Sequence, residues 1–71
     1  MRVTVKLEYK DKVYISNGID VNEEENERLA GIVMKASEGK ASHLTITKDN
    51  QTFHFGKKVL RESIITITNV N

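Results

Sequence analysis

Val3-Thr4-Val5-Lys6-Leu7-Glu8-Tyr9-Lys10 alternates apolar and polar residues without a break. Successive side chains of a β-strand point to opposite faces, so Val3, Val5, Leu7 and Tyr9 line one face and Thr4, Lys6, Glu8 and Lys10 the other. Such a strand is half-buried and needs a cover on one side. Asp11-Lys12 predicts a tight turn, after which Val13-Tyr14-Ile15-Ser16 returns as a second strand. Asn17-Gly18 is the strongest turn dipeptide of the chain, since both residues tolerate positive φ. Beyond it, Ile19 and Val21 either extend the strand past a turn or bulge, or tuck under the sheet.

The cover comes next. Asn22 is a suitable N-cap, and Glu25, three residues on, completes a capping-box pattern. Glu23, Glu24 and Glu25 fall in the first turn, where the positive end of the helix dipole favours carboxylates. Leu29, Ile32, Val33 and Ala36 follow at i, i+3, i+4 and i+7, which makes one apolar stripe. Ser37-Glu38-Gly39-Lys40 ends the helix, with Gly39 suited to the left-handed C-terminal position. Gly31 lies mid-helix at a cost of about 1 kcal/mol against alanine, and a close approach to the sheet would account for it.

The remainder reads as strand. Leu44 and Ile46 alternate with His43, Thr45 and Thr47. A hairpin closed at Asp49-Asn50 sets Ile46 opposite Phe53 and Leu44 opposite Phe55, giving an apolar inner face. Gly56-Lys57-Lys58 breaks the run, Val59-Leu60 restarts it briefly, and Ile64 to Val70 is β-branched at almost every position. The fold expected is α+β: a mostly antiparallel five-stranded sheet with one helix packed on one face, in the order strand-strand-helix-strand-strand-strand. Residues 1–71 form a single domain, without repeats or a linker.

At 71 residues a domain hides only about 60% of the surface its unfolded chain exposes, so its stability margin is thin. With no cysteine, disulfides and thiolate metal sites are excluded, and oligomerisation becomes the leading way to supplement the core. Eleven basic and ten acidic side chains leave a net charge of +1, which gives no global pull toward nucleic acid or anionic lipid. No apolar run reaches the roughly 18 residues that span a bilayer. The opening Met1-Arg2-Val3-Thr4-Val5-Lys6 lacks the apolar run of a leader, and a cytoplasmic location without membrane contact is the expectation.

Candidate sites are few. His43 and His54 fall on the outer face of the second hairpin as diagonal neighbours. They could share a metal ion or form a pH-sensitive pair, but no carboxylate stands ready to complete a ligand set, and solvated surface histidines are the ordinary reading. No metal or other cofactor is expected. Asp20 with Glu23, Glu24 and Glu25 has the helix dipole as its explanation. Phosphate-loop and nucleophile-elbow patterns are missing, so the chain reads as a non-enzyme. Lys57, Lys58 and Arg61 form the one local basic cluster, which defines a weak single-stranded nucleic-acid binder as the alternative function. Phe53 and Phe55 belong to the core in this reading, so Tyr14 and His54 are the only exposed rings left to stack on bases.

The last strand carries the leading hypothesis. If Ile65 and Ile67 face the helix, then Ile64, Thr66, Thr68 and Val70 point away from it, and Tyr14 is assigned to the same outer face. A sheet apolar on both faces needs a second cover. With one helix available, that cover is another protein or a sister subunit, contacted at Tyr14, His54, Ile64, Thr66 and Thr68 through the sheet face or by strand pairing at a sheet edge. The first hairpin, the acid-capped helix and the run Val59-Leu60-Arg61-Glu62-Ser63-Ile64-Ile65-Thr66-Ile67 together resemble small proteins of Gram-positive phages and mobile elements. That resemblance implies an accessory protein that binds and modulates a host protein.

Overall fold

A computed structural model describes residues 1–70. Along the chain run β1 (Arg2–Tyr9), β2 (Lys12–Ile15), β3 (Ile19–Asp20), α1 (Glu23–Ser37), β4 (His43–Lys48), β5 (Gln51–Gly56), α2 (Lys57–Arg61) and β6 (Ile64–Asn69). The class is α+β with antiparallel pairing, as expected. The single five-stranded sheet is not what forms: the strands divide into a sheet of four and a sheet of two, and there are two helices.

β1 is the axis of the larger sheet. One edge pairs with β6, from Val3↔Asn69 to Glu8↔Ile64. The other pairs first with β2, from Tyr9↔Lys12 to Lys6↔Ile15, and then with β3 at Val3↔Ile19 and Arg2↔Asp20. β2 and β3 are thus two pieces of one edge, interrupted by Ser16-Asn17-Gly18. Of the two readings of Ile19, strand extension past an interruption is the one found. Ser16 bridges the gap: its N–H donates to the Val5 carbonyl (2.9 Å), and its Oγ accepts from the Val5 N–H (2.9 Å) where a ladder carbonyl would otherwise stand.

Neither Asn17 nor Gly18 adopts positive φ. Those values belong to Lys10 (53°), Asp49 (55°) and Gly39 (75°). The first tight turn is Lys10-Asp11, because Lys12 is already paired with Tyr9. A Cβ at Gly18 would sit 2.8 Å from Cδ of the exposed Arg2 side chain, whose Nε reaches over to Asp20 Oδ1 at 3.0 Å, so a larger residue would displace that side chain.

The second sheet has the register read from the sequence, with Leu44↔Phe55 and Ile46↔Phe53 around an Asp49-Asn50 loop. It meets the first sheet at Asn17, whose N–H donates to the Thr47 carbonyl (2.9 Å) and whose Oδ1 accepts from the Asp49 N–H (3.1 Å). Away from this joint the Tyr14 ring packs against Phe53 and Phe55, at centroid distances of 5.1 and 5.0 Å. These three rings pack where the two sheets face each other.

α1 begins with the capping box: Asn22 Oδ1 accepts from the Glu25 N–H (2.8 Å) and Glu25 Oε1 from the Asn22 N–H (2.9 Å). It ends in a Schellman motif, Lys40 N–H to Lys35 carbonyl (2.8 Å) and Gly39 N–H to Ala36 carbonyl (3.1 Å). Val33 and Ala36 are buried and Leu29 half-buried, while Ile32 turns to solvent at 45% exposure. Gly31 makes no close approach, since nothing lies within 4 Å of where its Cβ would be.

Val59-Leu60 is a helical turn, not a strand. One turn of helix places Leu60 in the core, fully buried, with Lys57, Lys58 and Arg61 outside. Ser63 Oγ donates to the Val59 carbonyl (2.6 Å) and turns the chain into β6. The core gathers Val5, Leu7, Val33, Ala36, Ile46, Phe55, Leu60 and Ile65 from both sheets and both helices.

Candidate protein-binding surface

Parity along β1 decides which side chains face out. Val3, Val5 and Leu7 are buried, so Thr4, Lys6 and Glu8 look the other way, together with the residues directly opposite them. Three rows follow. Val13, Glu8 and Ile64 form the first row, and Ile15, Lys6 and Thr66 the second. In the third, Thr4 stands beside Thr68.

Tyr14 is not on this face. It pairs with Leu7 and turns inward against Phe53 and Phe55. A two-residue loop pairs residues whose numbers differ in parity, so even-numbered Tyr14 must share the face of odd-numbered Leu7. Val13 and Ile15, assigned to no site from the sequence, take its place outside, at 55% and 44% exposure, and Ile64 is 64% exposed. Counting across the loop was the signal that would have found them. Between these apolar side chains, Lys6 Nζ and Glu8 Oε1 pair at 3.1 Å.

His54 lies elsewhere, on the outer face of the β4–β5 hairpin. The inner faces of both sheets turn onto one core, so the outer faces look out on different sides of the molecule. The structure therefore unites Ile64, Thr66 and Thr68, separates His54 from them, and withdraws Tyr14 into the interior. His54 Nδ1 is 3.2 Å from Thr45 Oγ1, Thr47 Oγ1 is 3.4 Å from Thr52 Oγ1, and His43 Nδ1 is 3.1 Å from Ser42 Oγ. Each polar group there has a neighbour. Among the described residues no group of three or more His, Cys, Asp or Glu could hold a metal ion.

Lys57, Lys58 and Arg61 stand together on α2, around a shallow recess shared with Glu62. The acidic residues near the start of α1 have local roles. Glu25 completes the cap, and Glu24 lies 3.8 Å from Arg28. The Asp20 carboxyl is held below its ordinary range by the hydrogen bond from Arg2 and by that residue's charge.

A recess of 210 Å³ lies among Ser16, Ile19, Leu29, Leu44 and Ile46. None of its lining residues is a carboxylate, histidine or lysine. Among the described residues no helix is long and apolar enough to cross a membrane. No family model matches the chain, and no curated protein or solved structure matches it.

Proposed function

We propose that this chain is a non-catalytic protein-binding module that acts as a homo-oligomer and makes its contacts through the outer face of the four-stranded sheet. One observation carries the proposal: Val13, Ile15 and Ile64, all well exposed, stand in two adjacent cross-strand rows that no other element of the described chain covers. β-Branched side chains clustered on a rigid sheet lose little conformational entropy on burial, which suits them to an interface. An accessory protein of a phage or mobile element, binding and modulating a host protein, is the biological setting the sequence resemblance suggests.

Ile64→Asp is the test. It should abolish association, with itself or with a protein captured from bacterial lysate, while the circular dichroism spectrum stays that of the folded chain. Association undiminished in this variant would refute the proposal.

A second reading rests on α2, where Lys57, Lys58 and Arg61 lie within five residues of helix and form no ion pair among the described residues. Binding of single-stranded nucleic acid there would weaken steeply with salt as counterions are released. The rings that would stack on bases are absent from this side, since Phe53, Phe55 and Tyr14 all pack inward, and the first reading is preferred.

A further inference from the structure

We infer that the partner of the outer sheet face is a second copy of the chain, stacked face to face about a two-fold axis that crosses the strands at the level of Leu7. The inference rests on the reading of that face as an interface and adds its occupant and register. Of the charges β1 presents there, Arg2 is paired with Asp20 opposite it at the far end of the face, and Lys6 and Glu8 flank Leu7, two residues apart and paired at 3.1 Å. An axis running across the strands at Leu7 reverses the direction of β1 in the second copy. Lys6 then lies over Glu8 of the second copy, and Glu8 over Lys6, so four charges alternate in sign around a closed ring.

The same operation exchanges the first two rows. Val13 comes over Ile15 of the second copy and Ile15 over Val13, while Ile64 comes over Thr66. A two-fold axis running along the strands would instead stack Lys6 on Lys6 and Glu8 on Glu8, which like-charge repulsion disfavours. An isologous contact requires a patch complementary to itself, and the Lys6–Glu8 pair about Leu7, with β-branched Val13 and Ile15 beside it, meets the condition. Sheets packed this way stand about 10 Å apart with strands crossing near −30°. Three strands and six residues give a face of about 14 by 20 Å. That is small beside the roughly 800 Å² each partner buries in a standard interface, so the dimer forms reversibly with rising concentration.

Sedimentation equilibrium on the full chain tests this with charge reversals. Lys6→Glu and Glu8→Lys, each alone, should weaken self-association by about tenfold or more, because like charges then face each other. An equimolar mixture of the two should restore a heterodimer, and the double variant carrying both changes should dimerise as the wild type does. Single variants that self-associate undiminished, or a mixture that stays monomeric, would overturn the inference. So would a wild-type chain that remains monomeric at every concentration; if Ile64→Asp still abolished capture of a different protein, the face would stand as an interface and only its occupant would be wrong.

Discussion

The β1–β2 and β4–β5 hairpins are built alike and finished differently. Both close on two-residue loops, Lys10-Asp11 and Asp49-Asn50, and both open the loop at positive φ. Each turns an alternating set of side chains onto the common core. On its outer face the second hairpin carries Thr45 beside His54 and Thr47 beside Thr52, each pair within hydrogen-bonding distance, whereas the first, with β6 beside it, carries Val13, Ile15 and Ile64. Their edges differ too. β4–β5 is regular, while the β2–β3 edge is broken at Ser16 and held by a side-chain oxygen. Exposure alone does not mark a surface for binding: a face whose polar groups satisfy each other is complete, and one that shows branched apolar side chains to water is not.

Breaking the first hairpin at its interruption should have the largest effect on stability. Ser16→Ala leaves the Val5 N–H buried without its acceptor, an expected loss of about 1–3 kcal/mol, read from urea unfolding. Hydrogen exchange should show the β1 and β2 amides losing protection ahead of those in β4 and β5. A loss spread evenly over both hairpins would mean that the bulge is not a local joint.

The two turns offer a sharper comparison. Lys10 holds a left-handed conformation at φ 53° with an ordinary long side chain, so Lys10→Gly should stabilise by about 0.5–1 kcal/mol, the relief of strain exceeding glycine's entropy cost. Asp49 tolerates the same conformation through its short polar side chain, and Asp49→Gly should give no gain. Equal shifts in melting temperature for the two variants would remove this distinction.

The smallest effect concerns acid. Arg2 lowers the folded-state pKa of Asp20, chiefly through the hydrogen bond and then through its charge. The associated stability is present above the unfolded carboxylate value, about 3.9, and is lost as pH falls through the lowered folded value. Asp20→Asn should melt slightly below the wild type at neutral pH, and the gap should close under acid. An unchanged gap would show that the pair contributes nothing through its charge. The β4–β5 hairpin has no corresponding pair on its outer face.

Much of this was legible residue by residue. The caps of α1 follow from short-range rules: Asn22 and Glu25 are three apart, and Gly39 supplies the left-handed residue the helix end requires. The register of β4–β5 follows from one loop and one alternation. Tyr14 was misplaced although the information was local, because the apolar pattern of Val13 and Ile15 points those residues inward when read alone, while loop parity turns them out. Ile32 falls on the helical stripe yet reaches solvent, while Val33 and Ala36 of the same stripe are buried. Gly31 has no neighbour for which it makes room, and the structure gives no packing reason for it.

What the sequence determined by itself is whatever neighbours in the chain can settle: the alternation of β1, the limits of α1, the β4–β5 pairing and the want of cysteine and net charge. The tertiary structure alone decided the rest. It divided the strands into two sheets, with Tyr14 of one packed against Phe53 and Phe55 of the other. It made Val59-Leu60 part of a short helix that sets Leu60 into the core. It gathered Val13, Ile15 and Ile64 around Lys6 and Glu8 because antiparallel pairing brings together residues some fifty positions apart, and no local rule counts that far.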